Sequence, residues 1–420
     1  MSRSAVRQTQ ISGVSVQRGE VLVPTQIGDP VHGLLPCLAA PLVAGLLRSK
    51  GRQVRLAELP HYDDAAADGD ALVFVETCPQ QDGSTAAIAA AVTPGDGLSA
   101  AIARAAVEEW AAVCGNRTLL MAGSPWCEGA LRAASAARSA AIEHLGSGRT
   151  VHLLAPYAIP AEALAELAEL GAVISASLDE VGPADVVVFP AHGVTAELEA
   201  EAVRRGMTVI DATCPLVAAA QTAARRVADR GQQLVLIGQR NHAATASITS
   251  QAPGHVTVVE TPAGTAALRA GDAGHVSYLM QPGIAVETGA PTVSALRSRY
   301  PAVKGAVPAE TCFAPSDRAG TIRAVAVGSD LMLVLGDPQS ADTRQLCGQA
   351  RDAGTRAQVI TDISEVRPTM LAAVHTIGLA ESLSAPSGLA AQVTCALSGL
   401  GRLTVARRQL STQKTASVPG

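Results

Sequence analysis

The chain has 420 residues, 48% of them hydrophobic and only 2% aromatic, and a formal net charge of −5 at neutral pH. That length allows two or three domains with a large buried core. The scarcity of aromatic rings argues against base stacking, and the mild negative charge against DNA or an anionic membrane surface as a partner. The first residues, MSRSAVRQTQISG, hold no apolar core of a secretory signal. The longest apolar stretch, Leu34 to Leu47, is shorter than the about 20 residues a bilayer crossing needs. A cytoplasmic protein is expected. Its eight cysteines, at 37, 78, 114, 127, 214, 312, 347 and 395, are then expected to be reduced.

Taken in order, the segments read as strand, loop, helix. EVLVP (residues 20–24) predicts a strand, the Leu34–Leu47 stretch a buried helix, and the stretches from Gln53 to Leu59 and Ala71 to Glu76 two more strands. A helix is expected from Gly97 to Val113, ending near Cys114-Gly115, with Gly115-Asn116 as a turn and a domain boundary close by. Beyond Arg117 the alternation is regular. Strands are expected at 118–122, 151–154, 172–175, 186–190, 207–210, 233–238, 256–260, 275–280 and 331–335. Helices are expected at 128–145, 160–170 and 215–230. This order predicts an α/β protein built from small parallel sheets. The segment from Arg402 onward is polar and basic, and loose ordering is expected there.

Three cysteines share one context. Cys127 lies in MAGSPWCEGA, Cys214 in VIDATCPLVAAA and Cys312 in AETCFAPSDRA. The first two follow an apolar strand and open an Ala-rich helix. The C-terminal ends of strands are where open α/β sheets bind ligands. A helix N-terminus favours thiolate, the form that binds iron. Pro215 suits a first helical position, where its missing N–H costs nothing. No CxxC pair or zinc-finger spacing is present, so spacing alone leaves all eight cysteines free to be packed thiols. Cys37 and Cys78, in the first 115 residues, are expected to be packed thiols.

From about Thr118 to Gly401 the chain resembles the 4-hydroxy-3-methylbut-2-enyl diphosphate reductase (LytB) family. The resemblance is carried in order by AHGV (Ala191–Val194), DATCPLV (Asp211–Val217), LIG followed by His242, Gln281, TCFAPSDRA around Cys312, SADTRQL (Ser340–Leu346) and ESLSAPSG (Glu381–Gly388). It implies three small α/β lobes around a central [4Fe–4S] cluster held by Cys127, Cys214 and Cys312, with an extra N-terminal α/β domain. It further implies reduction of (E)-4-hydroxy-3-methylbut-2-enyl diphosphate to isopentenyl and dimethylallyl diphosphate. Electrons would come from a ferredoxin or flavodoxin-like donor. The substrate-side residues implied are His192, His242, Gln281, Ser340, Asp342 and Ser384.

Departures from the family pattern are equally specific. The HEVVHN segment is APYAIP (Ala155–Pro160), placing Ile159 where a histidine is usual. His-Pro-Glu is His242-Ala243-Ala244, so the proton-delivering acid is absent. A threonine pair is Pro282-Gly283, and Ser-Ser-Asn is Ser340-Ala341-Asp342. A positioned general acid contributes about 10²–10⁴ in rate. Glu128 and Glu381 are the candidate replacements, with Asp342 a third carboxylate in the phosphate loop. A carboxylate in place of asparagine there is expected to repel a diphosphate.

The expected organisation is residues 1–115 as the α/β extension, 116–401 as the reductase-like region and 402–420 as a loose tail. The changed substrate residues leave three alternatives: a paralogue reducing another alcohol in specialised metabolism, a catalytically silent subunit that binds the cluster, and an iron-free α/β binding protein.

Overall fold

Runs that are apolar at every position, such as Val186–Phe189 and Leu331–Leu335, are strands covered on both faces, and both are fully buried within parallel sheets. The computed structural model describes residues 6–29, 32–59, 70–80, 82–155, 159, 161–268, 276–305 and 310–412. The chain divides into two compact units. One is Met1–Gly123 with Thr321–Arg408, and the other is Ser124–Gly320 with Gln409–Gly420.

The second unit holds two four-stranded sheets, parallel throughout. The first runs in the order Thr208–Asp211, Val186–Phe189, Val151–Leu154, Val173–Ser175, and the second Val256–Val259, Gln233–Ile237, Val276–Met280, Lys304–Gly305. Small residues let the helices approach the strands. Ala133, Ala137, Ala140 and Ala141 of the helix Glu128–His144 are buried in the apolar cluster of the first sheet.

The first unit holds a five-stranded parallel sheet in the order Arg356–Ile360, Leu331–Leu335, Thr376–Glu381, Arg117–Ala122, Leu403–Arg408. Three parallel lobes are therefore present, as the resemblance implies. The expected loose tail is corrected over residues 403–408, which pair along the whole of Arg117–Ala122. Backbone hydrogen bonds to a neighbouring strand outweigh the lack of an apolar period. Residues 413–420 lie outside the described residues.

The extension forms its own six-stranded sheet in the same unit, and here the expectation of parallel strands is corrected. Arg7–Ile11, Ala71–Pro79, Thr85–Val92, Glu20–Asp29 and Gly33–Pro36 follow one another antiparallel, and only Gln53–Leu59 joins Glu20–Asp29 parallel. The strand Thr85–Val92 (TAAIAAAV) escapes a propensity reading because alanine favours helix. It is a strand because it is buried at nearly every position between two partners. The expected helix over 34–47 is likewise corrected: residues 34–36 belong to a strand, and the helix is Ala40–Ser49.

One apolar core joins the extension to the five-stranded lobe, running from Leu22, Val43, Ile88 and Trp110 to Leu333, Ile377 and Leu397. The approach is close. A Cβ on Gly45 would clash with the Ser364 backbone, and one on Gly399 would lie 2.5 Å from Ala39 N. Cys37 is a packed thiol, its acidity pushed to about 12 by burial. Cys78 is not, and the expectation of eight reduced cysteines is corrected with it: Cys78 forms a disulfide with Cys114, Cα atoms 6.7 Å apart. The end of Ala71–Pro79 and the last turn after the helix Gly97–Ala111 bring the two together, a pairing that sequence spacing does not encode. Among the described residues no helix is long and apolar enough to cross a membrane.

Candidate functional site

All three cysteines lie in the second unit, each at or just before the start of a helix. Cys127 is the N-cap of Glu128–His144, its Sγ accepting the Ala130 N–H at 3.4 Å. Cys214 caps Pro215–Asp229, with proline at the first position as expected. Cys312 lies two residues before Ala314–Val327, and its sulfur accepts the backbone N–H groups of Ala314 and Gly283. The side chains converge. A Cβ on Gly129 would lie 2.8 Å from Cys214 Sγ and 3.7 Å from Cys127 Sγ, so only glycine admits both sulfurs beside that helix. Burial pushes the Cys312 thiol up. The two backbone donors oppose this, and Cys127 and Cys214 are close enough to add to the rise electrostatically. For Cys312, burial outweighs the thiolate preference expected of a helix start.

A pair of histidines adjoins this set. The Cys214 N–H donates to Ala191 O at 2.8 Å, tying the cysteine to the turn that carries His192. The ring of His192 lies 4.7 Å from that of His242, centroid to centroid. His242 caps the helix Ala243–Thr249, its Nδ1 accepting the Ala244 N–H at 3.1 Å. That bond fixes the neutral tautomer, with the hydrogen on Nε2. Burial, and then the neighbouring His242, hold His192 down at about 4; burial alone lowers His242. Gly283, at φ +96°, stands opposite: a Cβ there would be 3.9 Å from both Cε1 and Nε2 of His242.

The other residues expected at the site are placed as follows. Gln281 is buried, and its Oε1 accepts Gln239 N–H at 2.7 Å and Thr245 Oγ1–H at 3.0 Å, bracing the loop after Gln233–Ile237. Glu128 is the exposed first residue of its helix, where a negative charge complements the dipole. Ala244 is fully buried, and Ile159 is buried in the apolar cluster of the first four-stranded sheet, so two positions that are polar in the family pattern are apolar packing here. Residues 156–158 and 160 of the APYAIP segment lie outside the described residues.

In the first unit, Ser340 caps the helix Ala341–Asp352 without a side-chain cap bond. Asp342, expected to repel a phosphate, accepts the Leu383 N–H at 2.7 Å through Oδ2 and so ties the helix to the loop after Thr376–Glu381. Ser384 Oγ accepts Asp337 N–H at 3.0 Å. Glu381 is the half-buried last residue of its strand, opposite Leu335. Two hydroxyls that the sequence reading missed, Thr343 and Ser382, contact Ser384. Their only signal is proximity in sequence to Ser340 and Ser384.

The donor set suits a [4Fe–4S] cluster. Among the described residues no three His, Cys, Asp or Glu side chains form a group that could hold a single metal ion. A four-iron cube does not require that, because each thiolate holds a different iron. Cys127 and Cys214 beside a glycine too small to intrude, with Cys312 in electrostatic reach of both, fit that requirement.

A family model described as LytB protein matches residues 118–398. The 4-hydroxy-3-methylbut-2-enyl diphosphate reductase 2 of Mycobacterium bovis is 37% identical over 254 residues, covering 60% of this chain and 77% of that one. The corresponding reductase of Cereibacter sphaeroides (strain ATCC 17029 / ATH 2.4.9) is 35% identical over 232 residues, 55% of this chain and 73% of that one. Among solved structures, the E-1-hydroxy-2-methyl-but-2-enyl-4-diphosphate reductase of Plasmodium falciparum superposes with a TM-score of 0.59 at 20% identity, over 70% of this chain and 93% of that one. A structure of (E)-4-hydroxy-3-methyl-but-2-enyl diphosphate reductase gives 0.54 at 25% identity, over 67% and 99%.

Proposed function

This chain belongs to the LytB family, and from that premise we propose that it is a cytoplasmic iron–sulfur reductive dehydroxylase acting on (E)-4-hydroxy-3-methylbut-2-enyl diphosphate. The products are isopentenyl and dimethylallyl diphosphate, with water released. The balance is one C–O bond broken for two electrons and two protons. The observation that carries the reading is the meeting of Cys127 and Cys214 beside Gly129, with Cys312 in electrostatic reach. These three cysteines would hold a [4Fe–4S] cluster. When bound, the cluster supplies electrons and a Lewis-acidic iron for the allylic oxygen.

The chain's own residues set the rest. His242 presents a fixed Nε2–H donor, because its Nδ1 is occupied by Ala244 N–H. His192, held neutral by burial at physiological pH, can donate one hydrogen bond without carrying a charge. Ser340 and Ser384 offer hydroxyl donors of the kind a diphosphate needs. Gln281 keeps its carbonyl oxygen for the loop at Gln239, which leaves it a bracing role on that side. Ala244 holds no transferable proton, so an acid such as Glu128 or Glu381 must supply it. An external low-potential donor of the ferredoxin or flavodoxin class delivers the electrons.

A second reading keeps the chemistry and changes the alcohol. Its support is that Ala244 and Ile159 are buried apolar positions where the family pattern has a carboxylate and a histidine. The deciding experiment is anaerobic reconstitution followed by turnover of the hydroxy-allylic diphosphate with a strong chemical reductant. Product formation supports the first reading. A coloured, reducible protein without turnover selects the second, and a protein that binds no iron removes both.

A further inference from the structure

Three hydroxyls in the first unit are linked in one direction. Thr343 and Ser382 are buried, and Thr343 Oγ1–H donates to Ser382 Oγ at 2.9 Å. Ser382 Oγ also accepts the Ser384 N–H at 3.2 Å. A hydroxyl has two acceptor lone pairs and one hydrogen. With both lone pairs of Ser382 taken, its hydrogen is left for its remaining neighbour, Ser384 Oγ, at 2.9 Å. Ser384 Oγ already accepts Asp337 N–H at 3.0 Å, so its two lone pairs are taken in turn. The one thing Ser384 can still do is donate.

We infer that Thr343 and Ser382 are positioning residues that make Ser384 a committed hydrogen-bond donor, selecting an anionic phosphoryl oxygen over any ligand group that must itself donate. This rests on the diphosphate reading above and specifies how one contact of it is set. Within the trio the Ser384 hydrogen has one other place to rest, Thr343 Oγ1 at 3.3 Å, the longest of the three contacts. A charged oxygen is the stronger acceptor and takes it. Donation along the chain from Thr343 to Ser382 to Ser384 polarises each hydroxyl toward the ligand.

The surroundings hold the trio in place. Gly336, at φ +149°, leaves no room for a side chain: a Cβ there would overlap Ser382 Oγ and lie 2.7 Å from Thr343 Oγ1. Asp342 Oδ2, bonded to Leu383 N–H, fixes the loop between Ser382 and Ser384. Ser384 itself is only half-buried and can reach a ligand, while its two supporting hydroxyls cannot.

Binding of inorganic pyrophosphate to the reconstituted full chain, measured by calorimetry, tests this. Ser384→Ala removes the donor. Ser382→Ala and Thr343→Val leave Ser384 in place but free its hydrogen to point elsewhere, and each should weaken binding about three- to tenfold. Thr343→Ser should restore it, because the hydroxyl returns without the methyl. In turnover, Ser382→Ala and Thr343→Val should raise KM with kcat little changed. If the unaltered protein binds and Ser384→Ala does not, while Ser382→Ala and Thr343→Val bind normally, the relay is overturned and the diphosphate reading stands. If the unaltered protein fails to bind pyrophosphate, the diphosphate reading falls and the relay's assignment falls with it.

Discussion

His192 and His242 meet with their ring centroids 4.7 Å apart and their planes tilted by 57°, and among the described residues no carboxylate offsets the burial of either ring. Two imidazoles this close and partly buried favour the neutral form of both. His192, at about 4, lies well below the ordinary histidine value of 6.5. The unfolded chain therefore takes up this proton at higher pH than the folded one does. The contribution is complete above about pH 6.5 and is lost as pH falls from there toward 4. With partial solvent screening it amounts to about 1–2 kcal/mol. Urea denaturation of the protein should show that acid limb, and His192→Asn should flatten it. An unchanged limb in the variant would mean that other groups govern the acid sensitivity.

Gly129→Ala sets two effects against each other. In a helix alanine is favoured over glycine by up to about 1 kcal/mol. The added Cβ, however, would sit 2.8 Å from Cys214 Sγ. The expected outcome is a chain that folds as well as before but takes up much less iron, read as reduced absorbance near 400 nm per protein, the region where such clusters absorb. Cys214→Ser should abolish that absorbance. Full cluster loading of Gly129→Ala would show that the cysteines can move apart at little cost.

That Cys127 and Cys214 open helices was legible in the sequence, whereas their grouping with Cys312, His192 and His242 came from the resemblance alone. Cys214 precedes a proline that starts a helix, and His242 is itself a helix cap. The strand Thr85–Val92 was not legible, since its alanines carry a helical preference that burial between two strands overrides. The hydroxyl relay was hidden for a different reason. Thr343 and Ser382 are 39 residues apart and meet only because Leu331–Leu335 and Thr376–Glu381 are neighbouring parallel strands. The role of Asp342 turned on geometry as well: its charge could be read, but its bond to Leu383 N–H could not.

The disulfide between Cys78 and Cys114 closes a loop with a sequence separation of 36. A cross-link of that span stabilises by about 2–4 kcal/mol, chiefly by restricting the unfolded chain. Cys114→Ser should therefore lower the melting temperature by several degrees. The unaltered protein in excess dithiol should fall to the same value. Cys114 is the better residue to change, because Cys78 is fully buried and a serine there would add a desolvated hydroxyl. Equal melting temperatures with and without reductant would show that the bond contributes nothing to the folded state.

Ala244→Glu tests the missing acid directly. Ala244 is fully buried and its N–H is held by His242, so the new carboxyl must either find the space beside the histidine pair or be forced into packed surroundings. Burying it costs stability, and a lower melting temperature is expected. If the proton donor is what this site lacks, turnover of the hydroxy-allylic diphosphate should nevertheless rise by at least tenfold, within the range a positioned general acid supplies. The two readouts separate the explanations. A destabilised, cluster-loaded variant with a faster rate supports the proposed reaction and a site weakened at one step. A variant equally loaded but no faster means that a proton was never the shortage. The apolar Ala244 and Ile159 then mark a cage reshaped for a different alcohol, and the search moves to allylic diphosphates that need no acid at that position.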